Sequence, residues 1–198
     1  MGIILQEVCG SPCGNAFYPA LSGVGRSINF YPIEPEKAED GIAVIAYGLG
    51  KYLMEGGRGL RFSPKYPKKI LQLSDSDLAL KDTQKEFLAV NLDPSSFVPS
   101  VDDGANLLRM RFKEAEKDPS FRYAASTYDF ESHMIRDGLL SKGKRVVTFS
   151  QLLNFNAIPL AEIISDLLKT GQKEMNNPIE MEFAVNMDTP KGPPAIFN

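Results

Sequence analysis

The sequence predicts an α+β fold, a mainly antiparallel sheet with helices packed on one face, and three patterns support this. Residues 178–186 alternate strictly between apolar and mainly polar side chains, as in a strand with one buried face. Strand-like segments in the first third are joined by loops rich in Gly, Pro, Ser and Asn, which favours antiparallel pairing. Residues 158–170 carry an apolar stripe at helical spacing, so we expect this helix to cover the apolar face of the alternating strand.

The other strands are predicted in order along the chain. A nearly continuous apolar run at residues 3–8 predicts a strand that is not an exposed edge. Lys51–Glu55 predicts a short helical turn that is stopped by Gly56. Further extended segments are predicted at 21–30, 41–47, 58–62 and 70–73.

The middle of the chain, residues 74–155, is interpreted as an elaboration on this sheet. Residues 102–116 predict a helix with Asp102 as its N-cap, because apolar residues recur there at helical spacing. Residues 122–128 and 143–149 are predicted to be extended. The last helix is predicted to have Pro159 in its first turn and to stop at Gly171.

Length and composition indicate an ordinary globular protein. The 198 residues fit one domain or two small subdomains, and 43% of them are hydrophobic and 24% charged. The net charge of −3 predicts no attraction to nucleic acid, and no apolar run approaches the length of a membrane span. Two cysteines and no basic, cleavable leader favour a cytoplasmic protein. The strand-like start and abrupt end are typical of a segment taken from a larger protein.

Two carboxylates on the alternating strand are the main candidate site. Glu180 and Glu182 lie on its polar face, one repeat apart, at roughly 6 to 7 Å along the strand. Mg²⁺ takes oxygen ligands of this kind, usually one or two carboxylates together with nucleotide phosphates. The same spacing is also ordinary for a solvated sheet face, so the pattern alone leaves both interpretations open.

A second candidate is the glycine turn at Gly48–Gly50. It closes the 41–47 strand and is followed by several Lys and Arg residues up to Lys69. Such a turn with cations is able to face phosphate groups, although the lysines equally fit a solvated loop.

Three motifs, in this order, resemble the phosphoenolpyruvate synthase and pyruvate, phosphate dikinase family. Residues 4–8 (Ile-Leu-Gln-Glu-Val) with 22–27 (Ser-Gly-Val-Gly-Arg-Ser) are similar to the hinge strand and Ser-Gly-Val strand of that family. Residues 45–50 (Ile-Ala-Tyr-Gly-Leu-Gly) resemble its Gly-Leu-Gly turn. Residues 178–184 (Pro-Ile-Glu-Met-Glu-Phe-Ala) resemble its Asp-Ile-Glu-Trp-Ala strand. The match covers most of residues 1–198, more loosely between 74 and 155.

The resemblance implies the C-terminal half of an ATP-grasp nucleotide-binding domain with ATP and Mg²⁺ as cofactors. It places Gln6, Glu7 and Val8 against adenine, mainly through backbone groups, and assigns Glu182 to the Mg²⁺ that binds with the ATP phosphates. Glu180 replaces an Asp of the family, so it is expected to act on the metal less directly, through water. The implied partners are the phosphohistidine and pyruvate-binding domains of a parent chain.

Departures from the family pattern limit what this chain is expected to do. Lys51 stands where the synthases commonly have Glu, and Arg26 where the family usually has an aromatic residue. The strand with the family's remaining metal and phosphate ligands is expected just beyond Asn198. The parent would convert ATP, pyruvate and water to phosphoenolpyruvate, AMP and phosphate, whereas this chain alone is expected to be inactive. The alternatives are a non-catalytic nucleotide-binding or interaction module and a related dikinase with another acceptor.

Overall fold

The protein consists of helices and mostly antiparallel sheets. The computed structural model describes residues 2–3, 5–187 and 195–197, and of 195–197 only the backbone. The described strands are β1 Ser11–Cys13, β2 Ala16–Tyr18, β3 Leu21–Arg26, β4 Ile42–Ala46, β5 Leu60–Phe62, β6 Glu86–Asn91, β7 Leu107–Arg111, β8 Ala125–Asp129, β9 Met134–Asp137, β10 Lys144–Val147, β11 Glu180–Met187 and β12 Ala195–Phe197. The described α-helices are α1 Lys51–Met54, α2 Ser76–Asp82, α3 Phe112–Ala115, α4 Phe121–Ala124, α5 Ser150–Leu153 and α6 Leu160–Met175. Short 3₁₀ turns occupy Ala38–Asp40, Leu71–Leu73 and Pro94–Ser96.

The described strands form three antiparallel sheets. The main sheet has the strand order β12-β11-β3-β4-β5, so strands from the two ends of the sequence are neighbours. A second sheet has the order β1-β2-β6-β7 and a third the order β10-β8-β9. The α+β class and the antiparallel pairing are therefore confirmed, while the ATP-grasp assignment stays a prediction.

One face of the main sheet packs on α6. A Cβ on Gly25 of β3 would point at Leu168 and Ile164 of that helix, at 3.4 and 3.6 Å. Phe183 and Val185 of β11 are buried on the same side. The long helix thus covers the apolar face, as predicted, but the short helix α1 borders the opposite face of the sheet, where its Met54 lines the clefts described below.

The core is continuous with the segment 74–155. Five buried aromatic rings contact one another in edge-to-face or stacked pairs, and three of them come from this segment. These rings are Tyr18, Tyr47, Phe87, Phe112 and Phe121. The segment also supplies the whole third sheet and two strands of the second. It therefore supports the main sheet from within one shared core.

Two of the longer predicted elements are wrong in type. Residues 3–8 were expected as a buried strand, but the described part is irregular, with Ile3 77% and Leu5 94% exposed; Ile4 lies outside the described residues. Residues 102–116 were expected as one helix, but they form an Asx turn at Asp102, strand β7 and the one-turn helix α3. Leu108 and Met110 alternate with Arg109 and exposed Arg111, and pairing with β6 decides in favour of this period of two.

Three smaller segments also differ from the predictions, one in its type and two in their boundaries. Residues 71–73 form a 3₁₀ turn instead of a strand. Residues 121–124 form helix α4 before the extended segment begins at Ala125. Helix α6 continues through Gly171 to Met175 and is capped by Asn176 in the left-handed conformation. Gly171 lies inside the helix, where a Cβ would be 2.4 Å from Ile179 Cδ1, so close packing accounts for this glycine.

Candidate functional site

The candidate residues lie on the face of the main sheet opposite α6. Along β11 the exposed side chains of Glu180 and Glu182 alternate with partly or fully buried apolar ones, as the sequence pattern predicts. In register, Glu180 lies beside Arg26 and Glu182 beside Val24 on the neighbouring strand β3. This face is therefore built from side chains of even-numbered residues on both strands.

A cleft of about 410 Å³ opens on this face around Glu182, and we refer to it as the Glu182 cleft. Its walls come from four separate parts of the sequence, which the fold brings together. They are Gln6, Glu7, Val8 and Cys9; Ser22, Gly23 and Val24; Gly50, Lys51 and Met54; and Glu182, Phe183 and Ala184. Four of the five residues that the sequence singled out thus line one cavity.

The glycine turn is fixed in the cleft wall by hydrogen bonds on two sides. The buried Ser22 hydroxyl donates to the Gly48 carbonyl oxygen at 2.7 Å, and the Leu49 amide donates to the Leu88 carbonyl oxygen at 3.0 Å. Gly48 has φ of +87°, and a Cβ there would lie 2.8 Å from the Leu88 oxygen. This position therefore requires glycine, and Gly50 and Lys51 are held beside β3 as a consequence.

The N-terminal wall is tied to β11 by a side-chain hydrogen bond. The Asn186 amide nitrogen donates to the Gly10 carbonyl oxygen at 3.1 Å. Beyond this point residues 5–9 follow the cleft in irregular, mostly exposed conformation. Asn186 thus links the segment that carries Gln6–Val8 to the strand that carries Glu182.

Charges inside the Glu182 cleft differ in how far they are compensated. Glu182 makes no hydrogen bond or ion pair with any described residue, so its carboxylate is free to take a cation. The Lys51 ammonium, in contrast, contacts Asp103 at 2.8 Å and Glu55 at 3.3 Å. The hydrogen bond with Asp103 raises the pKa of Lys51 and lowers the pKa of Asp103. Lys51 is therefore an ion-paired cation at the cleft wall.

A second cleft of about 410 Å³ adjoins the first and contains Glu180, and we refer to it as the Glu180 cleft. The two clefts share Val24 and Met54 as lining residues. Glu180 accepts a hydrogen bond from Nε of Arg26 and is therefore ion-paired. The two glutamates thus share a face but open into different cavities.

The residues present fit a magnesium ion at Glu182 and less well at Glu180. Mg²⁺ keeps several waters and takes one or two carboxylates plus substrate phosphates, so a single free carboxylate is a sufficient protein ligand. Among residues 2–3, 5–187 and 195–197, no group of three or more His, Cys, Asp or Glu side chains is arranged to hold a metal. A metal held by protein ligands alone is thus not supported there, whereas one that arrives with a phosphate ligand is compatible with Glu182.

Sequence reasoning missed a buried polar network beside the Glu180 cleft. Asn29 and Glu36 are almost fully buried, and both bind the guanidinium of Arg61. Arg61 is 32 residues from Asn29 and 25 residues from Glu36 in the sequence, so no local motif joins them. The only sequence signal is an acidic loop opposite a lone arginine on a short strand, which is too common to indicate a site.

Comparisons with known proteins add no assignment. No protein-family model, no curated protein and no solved structure matches this chain. None of the described helices combines the length and the apolar character needed to cross a bilayer.

Proposed function

We propose that this chain forms one wall of a Mg²⁺·ATP site in an ATP-dependent phosphotransferase of the phosphoenolpyruvate synthase type. One observation carries the proposal. Gln6, Glu7 and Val8, which the resemblance assigns to adenine, line the same cleft as Glu182, which it assigns to the metal. These residues come from opposite ends of the sequence, and Gly50 of the Gly-Leu-Gly turn lines the same cleft.

The cleft offers each part of a nucleotide a suitable surface. Residues 6–8 supply backbone hydrogen-bonding groups for a base, and Val24 with Met54 supplies apolar surface. Glu182 would hold the Mg²⁺, which neutralises phosphate charge during transfer when it is bound. The Gly50 backbone approaches this region without a side chain that would obstruct the phosphates.

Catalysis in this proposal needs more than the present chain. The parent reaction converts ATP, pyruvate and water to phosphoenolpyruvate, AMP and phosphate in the cytoplasm. The phosphohistidine and pyruvate-binding domains would supply the carrier and the acceptor site. For the chain by itself we expect no phosphotransfer, and an affinity for Mg²⁺·ATP weaker than micromolar, because the resemblance assigns further phosphate ligands to segments outside residues 1–198.

Paramagnetic broadening tests the proposal at this affinity. Mn²⁺ replaces Mg²⁺ in a titration of the ¹⁵N-labelled chain with ATP, and amide signals within reach of the ion lose intensity. We expect the loss at Val8, Lys51 and residues 182–184. Broadening centred on another part of the surface would overturn the proposal.

Two matched substitutions make the test specific. Glu182→Gln keeps the size of the side chain and removes its charge, so it should abolish the local broadening while the thermal unfolding temperature stays unchanged. Glu131→Gln alters another exposed glutamate, in the turn between β8 and β9, and should leave the broadening as it is. Equal broadening in wild type and Glu182→Gln would remove Glu182 from the site.

The non-catalytic module is the second candidate, and the state of Lys51 favours it. Its ammonium is compensated by Asp103 and Glu55, where the synthases commonly carry a glutamate. A module of this kind would bind nucleotide but would not transfer phosphate, even as part of a longer parent chain. Formation of phosphohistidine from ATP by the parent chain would exclude this candidate.

A further inference from the structure

Two exposed aromatic rings stand at the rim of the Glu180 cleft. Phe30 is 70% exposed and Tyr31 86% exposed, although they are neighbours in sequence and both line the cavity. Exposed single apolar residues are normal, but adjacent aromatic rings over a cavity are typical of ligand sites. The structure therefore presents a surface suited to stacking.

A buried network holds the loop that carries these rings. Nη2 of Arg61 donates to the Tyr31 carbonyl oxygen at 2.8 Å, to Asn29 Oδ1 at 3.1 Å and to Glu36 Oε2 at 3.3 Å. Asn29 also donates from Nδ2 to Glu36 Oε2 at 2.9 Å. Asn29 is 2% exposed and Glu36 8% exposed.

The same network also orders the backbone of the loop. The Tyr31 amide donates to Asn29 Oδ1 at 3.1 Å, and the Ile33 amide donates to Glu36 Oε2 at 3.1 Å. A buried carboxylate is costly unless its hydrogen-bonding capacity is used. Here the Glu36 carboxylate and the Asn29 side-chain oxygen together accept hydrogen bonds from four donor groups. The network thus fixes the backbone that carries the two rings beside the cleft before any ligand arrives, which lowers the entropy lost on binding.

The cleft combines an apolar floor with unused guanidinium donors. Val24 of β3 and Ile42 and Val44 of β4 form the floor. Val24 pairs with Val44 in register, and all three side chains lie on the same face of the sheet. Arg26 uses only Nε, and Arg61 only Nη2, in hydrogen bonds with described residues. The remaining N–H groups of both arginines are able to bind a carboxylate or a phosphate group.

We propose that the Glu180 cleft binds a small planar aromatic molecule with an anionic substituent. The ring stacks between Phe30 or Tyr31 and the aliphatic floor, and the carboxylate or phosphate of the ligand accepts hydrogen bonds from Arg26 and Arg61. Glu180 stays paired with Arg26 and orients its guanidinium. This proposal does not rest on the Mg²⁺·ATP proposal, because it uses neither Glu182 nor residues 6–8, although Val24 and Met54 line both clefts.

Phenyl phosphate is the probe for this proposal, read by methyl signals of the full chain. We expect saturable shifts of the Val24, Ile42, Val44 and Leu53 methyl groups, displaced by the ring current of the bound ligand. The Phe30→Leu/Tyr31→Leu variant should weaken binding about fivefold or more, because aromatic pairing is lost while both exposed positions keep an apolar side chain. Phe155→Leu, at a ring that is 60% exposed elsewhere, is the control and should bind as wild type.

Ligands that lack one of the two groups separate the contribution of the aromatic ring from that of the anionic group. Inorganic phosphate and phenol should each bind at least about tenfold more weakly than phenyl phosphate, since each lacks one of the two contacts. Arg26→Gln should weaken phenyl phosphate and leave phenol unchanged. Equal binding of inorganic phosphate, or an unchanged affinity for phenyl phosphate in the double aromatic variant, would overturn the proposal. Glu182→Gln should not alter phenyl phosphate binding, so failure here and failure of the Mg²⁺·ATP proposal are distinguishable.

Discussion

The Glu180 and Glu182 clefts lie side by side on one sheet face and share two lining residues, yet they differ in charge and in the side chains that line them. The Glu182 cleft contains a carboxylate without a partner among the described residues and is bordered by polar and glycine-rich backbone. The Glu180 cleft contains a carboxylate that is already paired and is bordered by aromatic rings over an aliphatic floor. The first is suited to a cation with phosphates, and the second to a flat apolar ring.

The neighbouring strand β3 produces this difference. In register, Arg26 stands opposite Glu180 and Val24 opposite Glu182, so one carboxylate meets a guanidinium and the other an isopropyl group. Side chains directly opposite each other in an antiparallel pair are close enough to interact, so the partner residue sets the chemistry of each position. A repeated residue type on one strand therefore does not imply a repeated function.

The largest expected effect comes from disturbing the contact between β3 and β11. Gly23 lies opposite Phe183, and a Cβ there would be 2.4 Å from Phe183 Cζ and 2.9 Å from Ile45 Cγ2. We expect Gly23→Ala to lower the free energy of unfolding by about 1–3 kcal/mol through overpacking. Denaturant unfolding measures this.

Gly25→Ala on the same strand is the matched control. Its Cβ would meet Leu168 at 3.4 Å, an ordinary contact distance, so its unfolding free energy should stay close to wild type. Similar losses for both substitutions would mean that strand conformation, and not the contact with Phe183, explains the effect.

The next effect concerns the ranking of the two glutamates. Glu180→Gln leaves Arg26 without its partner and adds a net positive charge beside Glu182. We expect Mn²⁺ binding in the presence of ATP to weaken about tenfold or less, as for a group that acts through its neighbours. Titration of Mn²⁺ followed by amide broadening gives the ratio. A loss as large as that in Glu182→Gln would place Glu180 on the metal directly.

A smaller effect is expected when the two carboxylates are made alike. Arg26→Met removes the cation that pairs with Glu180 and leaves two free carboxylates on one face of β11. Mn²⁺ binding should strengthen about three- to fivefold, because exposed charge pairs are worth up to about 1 kcal/mol. The same titration measures it, and an unchanged affinity would show that Arg26 does not influence the Glu182 cleft.

The smallest effect is a pKa change at the cleft wall. Lys51→Met removes the ammonium that lowers the pKa of Asp103, so this pKa should rise toward its ordinary value of about 3.9. In the wild type the contact persists above the ordinary carboxyl range and is lost as the pH falls through the lowered pKa. Carboxyl ¹³C titration of Asp103 reads both. An unchanged pKa would mean that Lys51 and Asp103 are not in contact in solution.

Local patterns predicted the elements of the main sheet well. The alternation at 178–186 led to β11 and its two faces, and the apolar run at 41–47 led to β4. The apolar stripe at 158–170 led to α6 and its place against the sheet. In β11 and α6 one face is buried, so that the periodicity of the sequence reflects the periodicity of the contacts. Strand β4 is mostly buried on both faces, which its continuous apolar run indicates.

Long-range partners explain what local patterns missed. Residues 107–111 satisfy both a helical and an alternating pattern, and only pairing with β6 selects the strand. Residues 3–8 have the composition of a strand, but their described part pairs with no described strand. The pairing of Arg26 with Glu180 and the binding of Arg61 by Asn29 and Glu36 depend on sheet register, which composition does not reveal.

The pairing of β3 with β11 also has a consequence for the order of folding. Arg26 and Glu180 are 154 residues apart, and closing a loop of that length costs roughly 4 to 5 kcal/mol of chain entropy. Because synthesis starts at the N-terminus, β3 and β4 leave the ribosome long before β11. Until β11 arrives, β3 has one unpaired edge with a row of open backbone hydrogen-bonding groups. Chains that stop before residue 180 should therefore aggregate through this edge, even though most of their core residues are already present.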